Sequence, residues 1–69
     1  MKHSWTLAEN KAAYAGYVSG RSYESMAREL GIGEKSMKMK YSNFKYILTG
    51  EGLSNYSKDS ERAVREYRQ

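Results

Sequence analysis

Cysteine and proline are absent from this 69-residue chain, and histidine and tryptophan occur once each. Without cysteine there is neither a disulfide nor a thiolate-bound zinc ion, and with His3 alone there is no clustered imidazole site. A metal centre is therefore not expected, nor is a cofactor. Long apolar runs are also lacking. The longest is far too short to cross a bilayer, and no hydrophobic signal segment stands at the N-terminus, so the expected compartment is the cytoplasm, with no membrane partner. Core mass is scarce as well. A single domain of this size lies near the lower limit for folding without staples, so stability must come from tight helix packing, dimerisation or a partner.

What is present is charge and aromatic surface. Seven tyrosines and no proline describe a folded, mostly helical chain rather than a disordered tail. The net charge is +4, and the isoelectric point is near 9.4. The excess is local. Residues 1–31 carry four cations against three anions, residues 57–69 four against three, and residues 34–46 four against one, with Glu51 alone between. The middle segment therefore supplies most of the positive field, which is the sign expected of a chain that meets nucleic acid.

Helix signals divide the chain. Thr6 and Glu9 form a capping box, which predicts a first helix over 7–18 with Trp5, Ala13, Tyr14, Tyr17 and Val18 on its buried side. Gly16 and Gly20 are expected to loosen its end. Ser22 caps a second helix over 23–30, with Met26, Ala27 and Leu30 facing inward, and Gly31 is placed to end it in the left-handed conformation. The 49–52 stretch TGEG breaks a third helix, and Leu53 is expected to pack back on the core. Ser57 caps a final helix over 58–67, with Ala63, Val64 and Tyr67 inward. The fold class is a small all-α domain of three to four helices.

The segment EKSMKMKYSNF, residues 34–44, alternates like a strand over five residues but separates into two faces at helical spacing over four turns. Advancing about 100° per residue, Met37, Tyr41, Phe44, Ile47 and Leu48 share an arc of about 120°, and Lys35, Lys38, Met39, Ser42, Lys45 and Tyr46 lie opposite. The longer pattern decides, and residues 34–48 are read as a helix. Lys40 alone breaks the pattern: it projects into the apolar arc, so it must snorkel at the rim or line a further contact.

Residues 23–42 fill a helix-turn-helix template. Met26 and the small Ala27 lie where the second helix crosses, Leu30 and Gly31 end the first, Ile32 plugs the turn, and Met37 anchors the second. In such units the second helix enters the DNA major groove. That assigns Lys35, Lys38, Met39 and Ser42 to base edges, and Lys45 and Tyr46 to the same face further along. Lysine donates to guanine, serine suits either base type, and methionine can touch a thymine methyl. Arg21, Ser22 and Tyr23, at the start of the preceding helix, are candidate phosphate contacts. Glu34 either accepts from cytosine or complements the helix N-terminus.

Trp5, Thr6 and Glu9, followed by a second helix, resemble the start of Myb/SANT-like three-helix DNA-binding domains, although Ala13 is smaller than the leucine usual there. The run SMKMKYSNF (36–44), then GLSNYS (52–57) and a short final helix, is similar to the N-terminal module of some bacterial and phage HNH-type, restriction-like endonucleases. The nuclease half has no counterpart here, so the resemblance implies binding without catalysis. Neither His3 nor Glu9 is expected to be catalytic, since the first precedes the cap and the second serves it.

The expectation is a non-enzymatic protein that binds double-stranded DNA, a phage- or bacterium-type regulator of transcription or accessory factor with no small-molecule substrate. About four useful cations bind weakly alone, so a homodimer through Val64 and Tyr67, or a partner, is expected. The rival is a protein-interaction module, such as a phage-encoded inhibitor of a host protein, that keeps the fold and docks through Met39, Tyr46 and Tyr56.

Overall fold

The computed structural model describes residues 4–52, 54 and 56–67, and among these it contains four helices and no strand. They are α1 (Leu7–Val18), α2 (Tyr23–Leu30), α3 (Glu34–Thr49) and α4 (Lys58–Tyr67). This is an all-α domain, and the third helix runs one residue beyond the range predicted from the sequence. His3 and Leu53 lie outside the described residues.

The helix starts follow the local chemistry. Thr6 Oγ1 accepts from the Glu9 amide at 3.1 Å while Glu9 Oε1 accepts from the Thr6 amide at 3.0 Å, so two otherwise orphaned donors are satisfied. Ser22 Oγ takes the Ser25 amide at 3.1 Å. Ser57 Oγ takes the Ser60 amide at 3.3 Å. Gly31 ends α2 with φ 69°, and the Ile32 amide turns back to the Ala27 carbonyl at 2.9 Å. Ile32 is buried, so the three residues between α2 and α3 contribute a plug as well as a turn.

α4 packs chiefly on α1 and α2 on α3, with α1 and α4 both resting against α3. The centre is Phe44, fully buried, with Tyr14 edge-on at 5.1 Å and Tyr17 tilted at 5.8 Å. Met26, Ala27, Met37 and Ala63 complete the core as their spacing predicts. Burying a ring of this kind contributes about 2–3 kcal/mol by area alone, a large share of what a domain this size can hold.

Several positions differ from the sequence expectation. Val18 and Leu48, which helical spacing puts on the buried faces, are 42% and 43% exposed; each lies in the last two residues of its helix. Tyr67 is 51% exposed, although its ring still meets Tyr14 edge-on at 5.2 Å. Gly16 does not loosen α1. It is a buried helical residue under Met26, where a Cβ would come within 2.6 Å of Met26 Cγ, so its absent side chain is what lets α2 approach.

Lys40 does not sit at the rim. It is 6% exposed, its ammonium donates to Ser60 Oγ at 2.7 Å, and it stands 4.7 Å from the centre of the Trp5 ring. Asn10, Asn43 and Ser60 are buried polar residues that the spacing of apolar side chains gives no means of placing.

Candidate nucleic-acid interface

α3 presents its basic side outward because Met37 and Phe44, two turns apart, pin the other side to the core. Lys35, Lys38 and Lys45 are exposed, and none has a carboxylate partner among the described residues. Elsewhere most described cations are paired within the fold, Lys11 with Glu66 at 2.9 Å, Arg62 with the same carboxylate at 2.8 Å and Arg65 with Glu61 at 3.3 Å, while Arg28 and Lys58 are exposed without a carboxylate among the described residues. The hydrogen bonds from Arg62 and then Lys11 hold the Glu66 carboxyl down to about 2, outweighing the opposing effect of desolvation. The positive charge that remains uncompensated is thus concentrated along α3.

The six residues assigned to this face are not equally available. Met39, at 46% exposure, stands among the lysines of the first two turns. Ser42 and Tyr46 are half-buried, because the chain after α3 folds back along them. Gly52 is the point of contact, where a Cβ would lie 2.8 Å from the Ser42 carbonyl oxygen and 3.7 Å from the Tyr46 nitrogen. Tyr56, four residues on, tilts against Tyr46 with ring centres 6.0 Å apart. The open part of the face is therefore Lys35, Lys38 and Met39, with Lys45 to one side. The glycine pair around Glu51 marks a helix break in the sequence; nothing in its composition says which helix it returns to.

The start of α2 adjoins this surface. Lys38 Nζ lies 6.0 Å from the Tyr23 ring centre, and Tyr23 meets Tyr41 at 6.4 Å. The Tyr41 hydroxyl donates to the Arg21 carbonyl at 2.9 Å. Arg21 and Ser22 are exposed, but Arg21 is engaged within the fold: its guanidinium pairs with Glu29 at 2.5 Å and donates to Ser25 Oγ at 2.8 Å. A phosphate reaching Arg21 has to compete with that carboxylate. Ser22 Oγ accepts the capping bond and keeps its hydroxyl proton free to donate.

Among the described residues no three of Asp, Glu and His gather as a metal site requires, and no helix is long and apolar enough to cross a membrane. The chain matches no known family model, no curated protein and no solved structure.

Proposed function

We propose that this chain is a non-enzymatic double-stranded DNA-binding protein of the helix-turn-helix kind, a regulator or accessory factor of phage or bacterial type, with α3 seated in the major groove. The observation that supports it most is the contrast in charge pairing. Lys35, Lys38 and Lys45 stand exposed and unneutralised together on one helix face, whereas Lys11, Arg21, Arg62 and Arg65 each have a carboxylate and the other exposed unpaired cations among the described residues, Arg28 and Lys58, stand singly on α2 and α4. Exposed lysines on a rigid helix fit a polyanion, whose condensed counterions they displace. The mechanism is charge-driven docking, with Lys35, Lys38 and Met39 toward base edges, Lys45 toward phosphate, and Ser42 and Tyr46 at the edge that the 50–56 segment partly covers.

Gel shifts with random-sequence duplex at two salt concentrations test this. Binding that weakens steeply with salt supports it. Absence of binding even at low salt refutes it and favours a protein partner on the same face, for which the exposed Met39 and the Tyr46–Tyr56 pair would be the contact.

A further inference from the structure

The least economical feature of the core is its lysine. Position 40 falls in the apolar arc of α3, where methionine or leucine would fit the pattern and avoid the desolvation of an ammonium. The structure instead builds a directional chain around it. Lys40 Nζ donates to Ser60 Oγ at 2.7 Å, Ser60 Oγ donates to Asn10 Oδ1 at 3.0 Å, and Asn10 Nδ2 donates to the Thr6 carbonyl at 2.9 Å. Ser57 Oγ lies 3.2 Å from Ser60 Oγ and supplies a further partner. The face of the Trp5 ring, 4.7 Å from the ammonium, covers another side. Ser60 Oγ, accepting from Lys40 and donating to Asn10, is the joint that gives this chain its direction.

Apolar packing tolerates a helix that slides or rotates slightly, since methyl groups have no direction. A buried ammonium is less tolerant, because a shift of α3 lengthens its 2.7 Å bond to Ser60 and moves it off the Trp5 ring. The chain ties α3 to α1 through Asn10, to α4 through Ser60 and to the segment before α1 through Trp5 and Thr6. α2 takes no part in it, although α2 and α3 are the pair that the template places on DNA.

We propose that Lys40 is a positioning residue: it sets the register and tilt at which α3 presents Lys35, Lys38 and Met39, and it contributes specificity of arrangement rather than net stability. Its consequence for DNA rests on the function proposed above; its consequence for α3 itself does not.

The test is Lys40→Met, which keeps length and removes charge. The variant is expected to melt within about 5 °C of the parent, because replacing a buried charge by an apolar group of similar volume is close to neutral. Its salt slope on random duplex should be unchanged, since no phosphate contact is lost. Its preference for the best duplex from a random-sequence selection over random duplex should fall roughly tenfold, the size of one lost base contact. Amide exchange within α3 should quicken while the turn at residues 31–33 keeps its protection. A variant with the parent's preference and exchange pattern overturns the proposal. So does one that melts far lower or fails to fold, which would make Lys40 a stability residue. If the parent itself binds no duplex, the functional reading fails, and the exchange comparison alone decides the role of Lys40.

Discussion

The Tyr41 hydroxyl on α3 donates a 2.9 Å hydrogen bond to the carbonyl of Arg21, just ahead of α2. This bond joins the two helices on the side facing solvent, while Phe44 joins α3 to α1 inside. The two contacts should differ sharply in energy. Tyr41→Phe removes one bond whose acceptor can turn to water, at a cost of about 1 kcal/mol. Phe44→Ala empties the centre of the core at a cost of roughly 3–5 kcal/mol, which is comparable to the whole stability of so small a domain. Thermal melts should show a shift of several degrees for the first and loss of a cooperative transition for the second.

Two glycines with positive φ should respond differently to alanine. Gly31, at φ 69°, has open space where a Cβ would stand, so only the left-handed backbone is penalised, at about 1 kcal/mol. Gly52, at φ 119°, adds a collision 2.8 Å from the Ser42 carbonyl oxygen. Gly52→Ala should therefore displace the 50–56 segment from α3 and separate Tyr46 from Tyr56. Increased tyrosine exposure in Gly52→Ala, with little change in Gly31→Ala, is the expected spectroscopic result; equal effects would contradict the placement of this segment.

The elements and most of the core were legible because they are written in local signals: a capping box at Thr6 and Glu9, serine caps at 22 and 57, and an arc shared by Met37 and Phe44. The exposed lysines were legible for the same reason, as the complement of that arc. Contacts between residues distant in sequence were not. Lys40 announced itself as an exception to the pattern, but its partner Ser60 is twenty residues away and looks, in sequence, like any polar residue on a short helix. The exposure of Val18 and Leu48 is not legible because periodicity tells which side of a helix is apolar and not where its neighbours end. The covering of Ser42 and Tyr46 is not legible either, because the return of Gly52 onto them depends on tertiary geometry alone.

Stability should depend on pH in a way that Lys40 explains. Burial holds its ammonium below the ordinary 10.5, with Asp59 opposing the shift. Between that lowered value and 10.5 the unfolded chain binds a proton that the folded chain has released, so stability rises with pH across this interval. Burial also pushes the Tyr41 phenol above 10.0, Arg21 opposing. Past 10.0 the folded state keeps a proton that the unfolded state has lost, so that contribution falls as pH climbs. Urea midpoints measured from neutral pH to 10.5 should show the parent gaining on Lys40→Met as pH rises, a gain that disappears if the amine is in fact solvated.

The lysines of α3 should divide by role. Lys45, to one side of the face, is expected to neutralise a phosphate: Lys45→Ala should reduce the salt slope by about one unit and weaken binding to all sequences alike. Lys35→Ala and Lys38→Ala should each cost roughly 1–3 kcal/mol at the preferred site and relax its specificity. The most direct measurement is the duplex affinity of the variant carrying alanine at 35, 38 and 45 together, taken at low salt by fluorescence anisotropy. All three positions are exposed and lie opposite Met37 and Phe44, so the fold should be retained. The account predicts a loss of about two orders of magnitude or more, with near-parental melting; a folded triple variant that binds duplex DNA as tightly as the parent would contradict it.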